Sequence, residues 1–245
     1  MTEEVDAADV VEQDHARLRE QVREHLGREI VRAEAMAAGL GTRRFHRLFF
    51  EDDGPPTLVA RIEDDGAIPA PVTDWPTPPP WLDEPPLEPI RGFLEDANIR
   101  VPASALHLRD EGLDLIEDVG ERNLLRAAPS ERQSWTVEAC ALLPDLQALS
   151  APPEEVPAFG RVYDAKLIAT KAWKWLHWTV PMLLERPAEE DELADTKALF
   201  GEIERLATAA PRRLAHRDFK AENLHLASGP DLSLIHISEP TRHRR

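Results

Sequence analysis

Cysteine is nearly absent from this sequence. Cys140 is the only one, so neither an intramolecular disulfide nor a cysteine-based zinc cluster can form. It is expected as a small apolar residue on a buried helix face. Long hydrophobic runs are also missing. Nothing approaches the roughly 20 apolar residues that span a bilayer, and no early run resembles a signal peptide, so a cytoplasmic location is the expectation. Basic charge is scarce: 29 Lys and Arg stand against 46 Asp and Glu, a net charge of -17. That balance disfavours nonspecific binding to nucleic acid or to an anionic membrane, both of which need basic patches. It suits solubility, and it also suits attraction of a cationic small molecule. His107, His177 and His225 show no metal-ligand spacing, and no internal repeat is evident.

What is present is enough apolar material, 42% of 245 residues, to bury a sizeable core. Residues 1 to 38 place Val11, Leu18, Val22, Leu26, Ile30 and Val31 at helix-like spacing, which predicts an N-terminal helical segment. Two β-prone runs then flank Asp52-Asp53-Gly54-Pro55-Pro56, the signature of an antiparallel hairpin. From Ala67 to Pro89 proline is too dense for a helix or a central strand, so a connector is expected, with Trp75 and Trp81 packing it onto the domain. "IRGFLEDANI" reads as a short helix, and "SALHLRD" and "LDLIEDVG" as strands joined at Glu111-Gly112. The remainder reads as helices over Ser130 to Leu149, Asp164 to about Leu184, and Asp191 to Ala210. In the last of these Leu193, Leu199, Phe200, Ile203 and Leu206 form one apolar face. The whole is α+β: a small sheet-bearing lobe over 1–118, then a helical lobe over 119–231.

The strongest chemical signal is "HRDFKAEN", His216 to Asn223. An aspartate followed five positions later by an asparagine, in a loop between short strands, suits phosphoryl transfer to a hydroxyl. Asp218 would accept the hydroxyl proton, and Asn223 would offer an oxygen to magnesium. In isolation such a match would favour a loop cap at His216 and Asp218 and a turn residue at Asn223. Colinear segments support the chemistry. "GLGTRRFHRLFF" carries Gly39 and Gly41 in a tight turn, with Thr42 and Arg43 beside it. "LDLIEDVGERNLL" and "VYDAKLIATKAWKWLHWTV" follow in order.

These stretches resemble the aminoglycoside phosphotransferase superfamily, whose catalytic loop has the form H-x-D-x-x-x-x-N on a protein-kinase-like fold of two lobes. The resemblance implies ATP and Mg2+ as cofactors, with Asp218 and His216 catalytic and Asn223 holding metal. Gly41, Thr42, Arg43 and Arg61 would lie near the nucleotide phosphates, and backbone groups near Glu117 to Val119 near adenine. Arg61 stands where such kinases commonly place a lysine, and it can fork onto phosphate with different geometry. The acidic partner on the small-lobe helix would be Glu88 or Glu95, although ordinary surface carboxylates are the better reading there. "RRFHRL", "EDVGERNL" and Arg217 look closest to kinases that phosphorylate N-acetylmuramate and N-acetylglucosamine at the anomeric position in cell-wall recycling. A small-molecule sugar is therefore the expected partner, with aminoglycoside or choline-like kinases and a nucleotide-binding pseudokinase as alternatives. Trp175 is expected in the core, and Trp173 or Trp178 at a cleft.

The family places a metal-binding aspartate after a short hairpin that follows the catalytic loop. Here the text is "LSLIHISEPTRHRR", with His236 near that place, and imidazole suits magnesium poorly. From Leu232 through Arg242 the residues match the translation of a transposase-derived sequencing adapter. Residues 232–245 are therefore expected to be non-native, the helical lobe incomplete and its apolar faces open, and this chain inactive. Omitting the tail removes three arginines and one glutamate, which deepens the acidic excess. Genomic DNA read across the Asp231 codon is expected to continue into an apolar strand ending in Asp-Phe; reads that continue into "LSLIHISEPTR" would show the tail to be native.

Overall fold

The structure is a computed structural model and describes residues 7–37, 43–63, 85–226 and 232–234. Helix α1, Ala7–Leu26, forms because Leu18, Val22 and Leu26 recur at four-residue steps and make one apolar stripe. The helix does not run on to residue 38. The chain leaves it at Gly27, and Arg32–Ala35 form strand β1 instead, because their backbone finds antiparallel partners on the next strand. Strands β2, Arg44–Phe49, and β3, Thr57–Ile62, make the expected hairpin. Arg28 holds its turn, donating to Asp52 at 2.6 and 2.8 Å and to the Pro55 carbonyl at 2.8 Å.

Strands β4, Ser104–Leu108, and β5, Leu113–Glu117, form a second hairpin. It turns through Gly112, at φ 58°, where a Cβ would meet the Glu63 carbonyl oxygen at 2.0 Å, so the position tolerates only glycine. The five strands lie antiparallel in the order β1-β2-β3-β5-β4. Side chains alternate between its faces. One face, with Leu48, Leu58, Ile62, Leu113 and Leu115, buries against Leu18 and Val22 of α1 and is the core. The opposite face carries Arg43, Arg47, Arg61 and Asp114.

Polar groups also sit within the α1 contact. Asp14 accepts from Arg44 at 2.6 and 2.8 Å and from His46 Nε2 at 2.9 Å, while His15 Nε2 lies 3.2 Å from His46 Nδ1. Asp14 and His46 are both buried, so each needs the other's hydrogen bond. Burial alone would raise the Asp14 carboxyl, but Arg44 and His46 hold it below its ordinary value. Burial, with His46 and Arg19 nearby, pushes His15 down against the pull of Asp14.

The expected helices form as α2, Leu87–Asp96; α3, Pro129–Ala148; α4, Ala165–Lys174; α5, Val180–Leu184; and α6, Glu190–Ala209. Asp164 caps α4 by accepting from the Leu167 amide at 3.0 Å. Between α4 and α5, Trp175–Thr179 form a π turn. Its wider winding shifts the register beyond it, and Met182, expected on the face of the buried Ile168, is exposed; Trp175, still in register with Ile168 at the end of α4, is exposed as well. Cys140 is exposed as well, one position round α3 from the buried Ala139. The apolar side of α6 lies open at Leu199, Ile203 and Leu206. Strands β6, Leu224–Leu226, and β7, Leu232–Leu234, make a separate antiparallel pair. No helix among the described residues is long and apolar enough to cross a membrane.

The chain divides into two compact units. One holds α1, β1 to β5, α3 up to Leu143, and the chain from His216 onward; the other holds α2, the end of α3 and α4 to α6. The division falls at Pro144, which lacks the amide that would continue the ladder of α3.

Because His15 is held below 6.5 and Asp14 below 3.8, the folded state binds fewer protons than the unfolded chain at both groups. Their contribution to stability is full above those ordinary values and is lost as pH falls through the lowered ones. Urea unfolding from pH 7.5 to pH 4 should show falling stability. The variant His15→Gln should flatten the upper part of that fall without abolishing it, because His216 and His225 are also held down by burial.

Candidate active site

Helix α6 ends before Pro211, and no strand precedes the loop at Leu214-Ala215, contrary to the expectation of strands on both sides. The loop is ordered by its own backbone. The Lys220 amide donates to the Asp218 carbonyl and the Asn223 amide to the Lys220 carbonyl, both at 2.9 Å. Arg217 adopts φ 70°, the left-handed region. A side chain at that dihedral is strained by roughly 1–2 kcal/mol.

The loop brings Asp218 and Asn223 together. Asn223 Nδ2 donates to Asp218 Oδ2 at 2.7 Å and to its carbonyl at 3.0 Å. Lys220 Nζ lies 3.3 Å from the same Oδ2. Two consequences follow from the donor inventory of these groups. Asp218 Oδ1 accepts no hydrogen bond among the described residues, and Asn223, with its NH2 committed, keeps its Oδ1 as an oxygen donor. His216 stacks edge-on against Phe219, with ring centroids 5.6 Å apart, and burial pushes its pKa down despite Asp218.

Strand β6 fastens the loop to the stretch after β5. The Leu226 amide donates to the Arg122 carbonyl at 2.7 Å, and His225 Nδ1 donates to the Gly120 carbonyl at 3.0 Å. Leu224 and Leu226 are buried. Gly120, at φ 76°, is another position where the backbone calls for glycine, and its amide donates to Asp118 Oδ1 at 3.0 Å. Asp118 in turn accepts from Arg47 Nε of β2 at 2.7 Å, while Arg47 Nη1 reaches Glu121 at 3.2 Å. Thus "RRFHRL", "EDVGERNL" and the catalytic loop form one hydrogen-bonded assembly. The Glu117 carboxylate is spent on Arg100 and on the Ala103 amide, and its own amide donates to the Ala103 carbonyl at 2.8 Å. Val119 is buried, and its backbone forms no hydrogen bond among the described residues.

The remaining expected residues are placed as follows. Gly41 and Thr42 lie outside the described residues, as do Trp75, Trp81 and His236. Arg43 and Arg61 lie on the sheet face away from α1 and share one carboxylate, Glu63. Glu88 and Glu95 both pair with Arg91 of their own helix. Trp173 and Trp178 stack edge to face at 5.2 Å, an i, i+5 contact that the π turn creates. Sequence reasoning missed Arg47 and His225 as loop-fixing groups; no local spacing signals a contact across 71 or 105 positions.

Among the described residues no group of three or more His, Cys, Asp or Glu is arranged to hold a metal ion. Magnesium keeps several waters and nucleotide oxygens in its shell, so the Asn223 oxygen suits it as one protein donor.

Known proteins of similar fold bear on this arrangement. No family model matches the chain, and no curated protein matches it. Solved structures do. The streptomycin–ATP–APH(2")-IIa ternary complex aligns over 90% of this chain and 69% of its own, with TM-score 0.53 and 14% identity. An aminoglycoside-3'-phosphotransferase of type VIII aligns over 90% and 75%, with TM-score 0.52 and 21% identity. The choline kinase LicA from Streptococcus pneumoniae aligns over 91% and 68%, with TM-score 0.55 and 13% identity. At such identities the likeness is one of fold: the chain has the α+β, protein-kinase-like fold of these phosphotransferases.

Relief of the strain at Arg217 is measurable. Arg217→Gly should raise unfolding free energy by about 0.5–1 kcal/mol, and Arg217→Val, whose branched side chain resists positive φ, should lower it by at least as much, in urea melts at pH 7.5.

Proposed function

We propose that the protein is an ATP-dependent phosphotransferase that moves the γ-phosphoryl group to a hydroxyl of a small molecule, with N-acetylmuramate or N-acetylglucosamine as acceptor. The Asp218–Asn223 contact carries this reading. It leaves one carboxylate oxygen of Asp218 to take a hydroxyl proton and holds an amide oxygen of Asn223 beside it. The acceptor oxygen, relieved of its proton by Asp218, bonds to the γ-phosphorus as the bond to the ADP oxygen breaks, and ADP leaves. Charge on the transferring group is drawn off by magnesium when it is bound with the nucleotide, and Asn223 is the residue that would hold it. Val119, buried and with no backbone hydrogen bond among the described residues, suits recognition of the base. The acceptor preference rests on "RRFHRL", "EDVGERNL" and Arg217, which the Arg47–Asp118 and Gly120–His225 bonds join to the catalytic loop.

A second reading, phosphorylation of an aminoglycoside or choline-like cation, is favoured by the solved structures of similar fold and by a net charge of -17. A third reading is a nucleotide-binding pseudokinase.

ADP release on a panel of N-acetylmuramate, N-acetylglucosamine, an aminoglycoside and choline separates these readings, using protein expressed from the genomic reading frame. The N-acetylated sugars are expected to turn over, and Asp218→Asn to lower kcat by about 10²–10⁴-fold with nucleotide affinity retained. Turnover of the aminoglycoside alone supports the second reading, and nucleotide binding without transfer the third.

A further inference from the structure

Midway along α1 a chain of hydrogen bonds runs from the helix into the sheet. Arg44 donates to both oxygens of Asp14, from Nε to Oδ2 at 2.6 Å and from Nη2 to Oδ1 at 2.8 Å. His46 Nε2 donates to Asp14 Oδ2 at 2.9 Å, and His46 Nδ1 faces His15 Nε2 at 3.2 Å. The two rings meet edge to face, with centroids 5.0 Å apart. The His46 side chain is 1% exposed, whereas His15 is half-buried. The neighbouring strands place Ala35 and Ala60 opposite His46, and Arg19 acts on His15 from its own helix. Arg17, two residues on, is tied instead to Glu111.

We propose that this contact is an acid-released latch between α1 and the sheet: the line between the His15 and His46 rings has room for one hydrogen, and protonating both rings parts them. The ionised Asp14 carboxylate only accepts, so His46 Nε2 carries a hydrogen, and the neutral ring turns an acceptor, Nδ1, toward His15. His15 Nε2 then donates the one hydrogen that fills the line. A single added proton is accommodated on either ring. On His15 it goes to Nδ1, away from His46; on His46 it goes to Nδ1, and His15 accepts it through its other tautomer. With both rings protonated, all four nitrogens carry hydrogens, and two N–H groups oppose each other across 3.2 Å. Two like charges also meet where water is scarce. Asp14 does not offset them, because Arg44 already matches its single charge.

Relief comes from one side of the pair. His46 is enclosed in the sheet, so the half-buried His15 is the ring that turns out to solvent. The first turns of α1 lose a tie to β2, while Leu18, Val22 and the Arg17–Glu111 contact hold the rest of the helix. Burial, His46 and Arg19 hold His15 below its ordinary value, so its stabilising contribution is full above pH 6.5 and is lost as pH falls through the lowered value. His46 directly precedes Arg47, so the latch bears on the strand that carries the Arg47–Asp118 pair.

Amide exchange of the full chain, read by mass spectrometry at pH 7.5 and pH 5 with labelling times scaled to the intrinsic exchange rate, tests the latch. Residues 7–18 should lose about tenfold in protection at pH 5, while the β2–β3 hairpin, 44–62, keeps its own. His15→Gln, whose amide donates to His46 Nδ1 and gains no charge in acid, should keep the pH 7.5 protection of residues 7–18 at pH 5. His15→Lys, charged throughout, should show the lowered protection already at pH 7.5, and it serves if the glutamine variant does not fold. Unchanged protection of residues 7–18 in the parent overturns the latch, as does an equal loss in His15→Gln. Loss of protection in 7–18 and 44–62 together is acid unfolding of the whole unit and overturns it too.

Discussion

The ion pair between Arg47 and Asp118 joins everything the candidate chemistry needs. Arg47 belongs to the middle of a strand whose alternate residues are committed to the core, so its guanidinium has a fixed origin. Asp118 is 8% exposed, and its carboxylate is shared between that guanidinium and the Gly120 amide. A pair so shielded adds little net stability over an apolar substitute, but losing Arg47 leaves the buried Asp118 carboxylate with the Gly120 amide alone, at a cost of about 3–5 kcal/mol. Its value is positional. Gly120, held in its left-handed turn by Asp118, presents a carbonyl to His225, and His225 lies two residues beyond Asn223. Sheet, junction and catalytic loop are thereby referred to one frame.

Phosphoryl transfer, as proposed for this loop, would rest mostly on positioning and electrostatics, which a fixed frame suits. The loop itself offers few fixed points: a 3-10 turn at Ala221–Asn223, two backbone hydrogen bonds and a strained residue at Arg217. It is the three-residue strand β6, with two buried leucines, that connects it to a larger core. On the far side of the sheet, α1 closes the core with Leu18 and Val22, and its Asp14 neutralises Arg44 from within the contact. The α1 side of the sheet thus joins buried leucines to the Asp14–Arg44–His46 group, while the other side carries Arg47, Arg61 and Asp114.

Local chemistry was legible in the sequence where it acts over short distance. Asp52-Asp53-Gly54-Pro55-Pro56 announced the first hairpin and Gly112 the second, because turn residues carry their dihedral preferences with them. The helical stretches of the second half were visible for the same kind of reason, through period and capping. Asp218 and Asn223 were identified by spacing, and they meet at 2.7 Å. Strand β1 was hidden because Ile30 and Val31 continue a helical period, and only pairing with β2 makes the following residues a strand. The apolar stripe of α6 was correctly seen as a stripe, yet periodicity says nothing of whether a neighbour covers it. Contacts such as Asp14 with Arg44, or Gly120 with His225, depend on chain closure over 30 and 105 positions, beyond any pattern of neighbouring residues.

The π turn at Trp175–Thr179 holds one residue more than a regular helical turn would need. Everything from Val180 onward is therefore rotated by about 100°, one residue's advance around the helix, relative to an uninterrupted α4. A comparison of this helix with an unbroken counterpart stays in phase only if a single-residue gap is opened inside "WLHWT". Without it, Trp178 and the residues of α5 would each be matched to a position on the wrong side of the cylinder, although the two sequences ran at equal length.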